Sequence, residues 1–440
     1  MTRSDCAWVR TGRAVFAVMA CLAMTASVFG AGAAAAFTID CDFPGGNISV
    51  EKVEGDHVYV CQDLRDTEGN WFYWNFRVRG AAGRTLTFHF KNDVFTRQGP
   101  CCSLDGGRTW QWLGMPKAAP APAKPAAPTA DPRLPAGASQ ESPKPAGPKP
   151  SSGPVFTYAI PAGADDVRFA LSIPYQESNL REFLARYEGR PGIRTGVLCQ
   201  TRKGRSAEVL YLGRLDGRPD YRVAFTCRHH ACESVASYVL EGIMASVLAD
   251  DDLGQWFRRR VAILAVPFMD KDGVELGDQG KNRRPHDHNR DYAGESIHPE
   301  VAALKKLLPE WSAGRIDVAI DLHCPSRLDD FIHFVGGAEA DFWERALRLC
   351  RILEEGQQGP LRYAMSDNIP FGQGWNKSTG NLMSFGRWAR TLPGISVATS
   401  LEFPYAQAKK TPVTADGACA FGRDVAVALR KYLEKELPRN

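Results

Sequence analysis

Residues 261–268, Val-Ala-Ile-Leu-Ala-Val-Pro-Phe, constrain this chain most, because the run is almost continuously apolar. A strand with one wetted face alternates apolar and polar residues. A strand without polar positions must be covered on both faces, as in a parallel sheet flanked by helices. The neighbouring segments agree. Residues 209–212, 221–226, 316–322, 331–335 and 395–403 read as further strands. Residues 179–188, capped by Ser178, and 233–248, 300–308, 342–355 and 422–436 read as helices. Over 233–248, Val235, Tyr238, Val239 and Ile243 fall on one helix face. This alternation predicts an α/β domain over 177–440, with a mostly parallel, mixed central sheet and helices on both faces.

The chain before residue 177 follows another rhythm. Residues 47–50, 58–60, 71–78, 85–90, 155–160 and 167–171 are rich in β-formers, separated by Gly and Asp. They predict a small antiparallel β-sandwich domain over 37–176. Residues 116–153 are almost wholly Ala, Pro, Lys, Gly and Ser, too little apolar surface to offset the entropy of ordering. This stretch is expected as a disordered insertion inside the sandwich. Residues 1–36 carry Arg3, Arg10 and Arg13, an apolar run over 14–30 and small residues over 31–36. That order of features predicts a signal peptide cleaved near Ala36 and a periplasmic or secreted protein, with no stable membrane span once it is removed. Export permits disulfides. Of the 12 cysteines, Cys41, Cys61, Cys101 and Cys102 cluster early, which leaves one or two bridges or buried free thiols as alternatives. No CxxC pair is present, which argues against a thiolate zinc site. A net charge of +4, without basic runs interleaved with aromatics, argues against nucleic acid.

Chemistry collects at predicted strand ends, where open α/β sheets place their ligands. Arg228-His229-His230-Ala231-Cys232-Glu233 follows the strand 221–226, His323 follows 316–322, and Glu402 lies near the end of 395–403. Two histidines and a glutamate suit a catalytic zinc that keeps one position open, and His230, Glu233 and His323 supply that set. His229 could replace His230, but the His-x-x-Glu spacing favours His230. Alone, the spacing is commonplace, and Glu233 could simply stabilise a helix start. Glu402 stands among apolar residues, where burial would raise its pKa toward that of a general base. In Asp287-His288-Asn289-Arg290, an amide beside a guanidinium can clamp a carboxylate. Asp287 can bind the free ring nitrogen of a metal-bound histidine. By itself the cluster would be an ordinary surface network.

Together, His230-x-x-Glu233, Asp287-x-Asn289-Arg290, His323 and Glu402 resemble, in order and role, the zinc carboxypeptidases of the funnelin (carboxypeptidase A-like) family. The segments 228–248, 266–274 and 321–323 resemble the cytosolic-carboxypeptidase (deglutamylase-like) branch. Residues 71–78 and 170–175 resemble the β-sandwich domain that precedes catalysis there. The resemblance implies one Zn2+ per chain on His230, Glu233 and His323, with Glu402 as general base. It also implies that Asn289 and Arg290 hold the C-terminal carboxylate of a peptide or protein. Ala231 and Cys232 stand where the branch has Pro-Gly, and Cys324-Pro325-Ser326 where it usually has Gly-His-Ser. No clear counterpart exists for the tyrosine that closes over substrate in digestive relatives. The family's carbonyl-polarising arginine would fall at Gly280, so Arg284, with Arg283 close behind, is the candidate. Arg327, Lys377, Arg387 and Arg390 are candidates for selecting the terminal side chain. The expected function is a zinc-dependent carboxypeptidase. The alternatives are a zinc amidase on cell-wall peptides and a non-catalytic binding protein on the same scaffold.

Overall fold

The structure is a computed structural model and describes residues 37–115, 153–216, 218–377 and 380–439. The predicted signal peptide and nearly all of the 116–153 insertion lie outside the described residues. Two sheets occupy the first part of the chain. One orders the strands Thr38–Asp40, Asn75–Arg79, Asp166–Ala170, Cys101–Ser103 and Gln111–Trp112; the other orders Ser49–Glu54, His57–Cys61, Thr85–Phe90 and Val155–Ala159. Alternation explains the fold locally: Leu86, Phe88 and Phe90 are buried, while Thr85 is exposed and Thr87 and His89 are half-buried. The inner faces meet through aromatics, with Phe76 to Phe88 and Phe156 to Phe169 both at 5.3 Å between ring centroids. Every pairing is antiparallel except His57–Cys61 with Thr85–Phe90, which is parallel.

Residues 71–78 do not form one strand. Pairing begins only at Asn75, because the backbone of Tyr73 is occupied by a side chain from the second half of the chain. Tyr73 N–H donates to Gln279 Oε1 (2.7 Å), and Gln279 Nε2 donates to Tyr73 O (2.8 Å). An amide side chain thus takes the place of a neighbouring strand.

The second half holds a seven-stranded sheet ordered Ile193–Gln200, Ser206–Gly213, Val261–Val266, Tyr221–Cys227, Val318–His323, Val397–Glu402, His333–Val335. The middle four strands run parallel, and the edges are antiparallel. Successive residues of these strands enter two cores. Val223, Phe225, Ile263, Ile320 and Leu401 pack with the helices Ser234–Leu248 and Ala415–Glu436. Ala224, Leu264, Ala319 and Ala398 pack with Pro299–Ser312. Helices therefore cover both faces, as the run at 261–268 requires. The helix expected over 179–188 with Ser178 as its cap starts two residues earlier, at Glu177, because the Gln176 N–H donates to Asn179 Oδ1 at 2.9 Å and makes Gln176 the cap. The ten described cysteines are all free thiols, so neither early bridge forms. No described helix is long and apolar enough to cross a membrane.

Candidate metal centre and active site

The parallel register brings three strand ends together. His323 is the last residue of its strand and lies opposite Glu402, the last residue of the next. On the other side of Val318–His323, the strand Tyr221–Cys227 ends at the loop Arg228–Glu233. That loop is held from within. Arg228 has a left-handed backbone (φ 61°) and a buried guanidinium. The guanidinium donates to Ala231 O (3.1 Å), Tyr175 O (2.8 Å) and Ser237 Oγ (3.1 Å).

The loop delivers His230 to Glu233, with Nδ1 to Oε1 at 3.0 Å. The other oxygen of Glu233 lies 2.8 Å from His323 Nδ1. One donor atom from each of His230, Glu233 and His323 lies within 4.8 Å of the others, and all three residues are buried. The chemistry of this donor set fits a metal. His323 Nε2 is 2.5 Å from Asp321 Oδ2, so both ring nitrogens face carboxylates, which outweigh burial and push its pKa well up. Such a pocket favours a positive charge at the imidazole, which a dication can supply. Burial opposes charge on Glu233, but Lys281, His230 and His323 outweigh it and hold its pKa well below the usual value.

His229, Asp321 and His323 also lie close enough to hold a metal, but His229 is engaged at both ring nitrogens and does not line the cavity that His230 and His323 line. Its Nδ1 meets Asp321 Oδ1 (2.8 Å), its Nε2 meets the Tyr292 hydroxyl (2.7 Å), and the ring is fully buried. Asp287 stands beside His230, with Oδ1 3.5 Å from Nε2 and otherwise unpartnered, while Oδ2 accepts from Asn282 N–H at 3.3 Å. Burial works against its charge, but His230 holds the Asp287 carboxyl well below its ordinary range. Burial pushes the Glu402 carboxyl up; His323 opposes this and the Glu233 charge adds to it.

Asn289 sits in the turn His288–Arg290, where its Oδ1 accepts from Phe385 N (3.0 Å) and its Nδ2 lies 3.2 Å from His323 Nε2. Asp291 fixes that turn by accepting from Ile297 N (3.0 Å) and His298 N (2.8 Å), with His286 Nε2 at 2.6 Å. His286, Asp291 and His298 also lie close enough to hold a metal, but these bonds engage them in positioning Asn289 and Arg290.

His230, Asp287, Asn289, Arg290, His323 and Glu402 line one cavity of about 890 Å³. Arg327, Lys377, Arg387 and Arg390 line it as well. Arg284 does not. Its side chain is 79% exposed and pairs with Glu68. Arg283 is drawn away by Asp270 and Asp278, each at 2.9 Å. The arginine expectation is therefore corrected: neither side chain reaches the cavity, because acidic partners claim both. Lys281, which sequence reasoning passed over, lines the cavity with Nζ 2.7 Å from Glu233 Oε1. Its signal was its place directly after Gly280. Asp321 and Tyr292 were also unassigned, since a support for a ligand carries no spacing rule.

No family model matches the chain. In sequence it is 30% identical over 176 residues to Cytosolic carboxypeptidase 6 of Caenorhabditis elegans, a match covering 37% of this chain and 38% of that protein. In fold it is similar to a metallo-carboxypeptidase from Burkholderia cenocepacia, with a TM-score of 0.68 at 18% identity over 91% of this chain and 99% of that one. A Pseudomonas aeruginosa metallo-carboxypeptidase in complex with (2-guanidinoethylmercapto)succinic acid gives the same score at 19% identity, covering 91% and 100%.

Proposed function

We propose that this chain, a relative in sequence and fold of the metallo-carboxypeptidases of the funnelin (carboxypeptidase A-like) family, is a zinc-dependent carboxypeptidase. The observation that carries the reading is the convergence of His230, Glu233 and His323 at the wall of the cavity that Glu402, Asn289 and Arg290 also line. His230, Glu233 and His323 would hold Zn2+, which supplies Lewis acidity and makes water a nucleophile near neutral pH. Glu402, made a better base by burial, takes the proton from the attacking water and returns it to the departing amine. Asn289 and the Arg290 guanidinium bind the terminal carboxylate and so select the last peptide bond. Asp287 orients His230, and Asp321 orients His323.

The cavity also bears on the residue released. Arg327 and Arg390 are paired with Asp93 (2.7 Å) and Glu339 (2.8 Å). Lys377 and Arg387 have no carboxylate partner among the described residues. Their charge favours acidic C-terminal residues. The role is exercised outside the cytosol, as the N-terminal residues 1–36 imply.

The test is metal analysis of the purified protein followed by assay on peptides that differ in their last residue. Stoichiometric zinc with release of single C-terminal residues is expected. Zinc without release from any peptide would overturn the reading, and release from wall fragments alone would point to the amidase.

A further inference from the structure

We propose that Lys281 is the carbonyl-polarising residue of this chain and takes the place of the arginine implied by the resemblance. The assignment rests on the carboxypeptidase reading above. Three observations carry it.

The backbone at the expected position cannot bear a side chain. Gly280 is left-handed (φ +76°), and a Cβ there would lie 2.2 Å from Ala231 N and 2.9 Å from Asp270 Oδ2. This close approach lets the segment dock on the loop that carries His230, helped by Cys232 N–H donating to Gln279 O at 3.1 Å. The two nearby arginines are engaged elsewhere, Arg283 with Asp270 and Asp278 and Arg284 with Glu68. The next residue after Gly280, Lys281, turns inward. Its side chain is 13% exposed, with Nζ 2.7 Å from Glu233 Oε1 and 5.0 Å from the Trp71 ring centroid. Among the described residues that line the cavity, Lys281 is the cation paired with a metal donor, and Arg290 belongs to the carboxylate clamp.

The chemistry needs such a group. When water adds to the scissile carbonyl carbon, the π electrons move to oxygen while Glu402 takes the proton. When the C–N bond breaks, those electrons re-form the carbonyl, and the proton leaves on the amine. An ammonium fixed before the reaction in a partly dry cavity stabilises the transient oxygen charge without reorganising. The bond to Glu233 holds Nζ there between turnovers.

The experiment compares wild type, Lys281→Met and Lys281→Arg by zinc content, kcat/KM, and calorimetric affinity for two ligands. One is a peptide phosphonate that mimics the tetrahedral oxyanion; the other is the released amino acid, which does not. Lys281→Met is expected to keep zinc and lose about 100- to 1000-fold in kcat/KM. Phosphonate affinity should fall in parallel while amino-acid affinity stays, and Lys281→Arg should recover much of both. A Met variant with kcat/KM near wild type overturns the assignment. So does a Met variant that loses zinc or binds both ligands equally poorly, since that is a counter-ion's behaviour. Should Lys281→Met fail to fold, Lys281→Ala is assayed with added ethylamine; saturable rescue by ethylamine but not ethanol supports the role, and its absence overturns it. An inactive wild type defeats the enzyme reading itself. An active wild type with an indifferent variant defeats the Lys281 assignment alone.

Discussion

At the residue scale, neighbours in sequence hold opposite fates. His229 and His230 differ in what meets their ring nitrogens, and of the two His230 lines the cavity. His230→Ala should therefore abolish stoichiometric zinc. His229→Phe should keep zinc but destabilise the fold by about 1–3 kcal/mol, because Asp321 and Tyr292 lose a buried partner. Metal analysis with urea titration reads both, and zinc loss in His229→Phe alone would reverse the assignment. Glu402→Gln keeps the shape of the side chain and removes the base, so zinc should stay while kcat falls at least about 100-fold. Arg387→Glu should cut kcat/KM for peptides ending in Glu by about tenfold relative to those ending in Ala, since an exposed cation acts through a modest, screened attraction. An unchanged ratio would remove Arg387 from specificity.

At the element scale, the loop after Tyr221–Cys227 and the segment 278–284 form one docked unit. Gly280→Ala would force its Cβ against Ala231 N, so the two segments must separate. A loss above about 2 kcal/mol in stability is expected, together with weaker zinc binding, as an L residue is also strained at that positive φ. A stable Gly280→Ala protein with normal zinc would show that the docking is dispensable. The strands were legible because their patterns are local: Thr85–Phe90 alternates and Val261–Val266 is apolar throughout. The 71–78 segment was misread because its β-formers announce a strand, whereas Gln279, more than 200 residues away in sequence, decides where pairing starts. Ile193–Gln200 was passed over because none of its residues is fully buried and it carries no clean period.

At the scale of the whole molecule, buried imidazoles make stability depend on pH. Burial lowers the pKa of His333, and of His298, to about 4 from 6.5. Between those values the unfolded chain binds protons that the folded chain refuses. The stabilisation is thus complete above about pH 6.5 and lost as pH falls toward 4, by at most about 1.4 kcal/mol per pH unit for each ring. Urea unfolding at pH 7, 5.5 and 4.5 should show that decline, and His333→Leu should flatten it; an equal slope in the variant would assign the decline to other groups.

The sequence by itself determined the α/β class and the β-rich first part, and it singled out His230, His323, Glu402, Asn289 and Arg290, which line one cavity in the structure, and Glu233, whose buried carboxylate lies between His230 and His323. Apolar periodicity and the order of polar groups at strand ends are local properties, readable along one dimension. The tertiary structure decided which side chains have charges left to offer. Arg283 and Arg284 resemble Lys281 as cations in the sequence, yet Asp270, Asp278 and Glu68 claim the two arginines, while Gly280 lets the chain approach closely enough to send Lys281 inward. Pairing with distant carboxylates depends on distances that no local pattern records, so the electrostatics of the centre are a product of the fold.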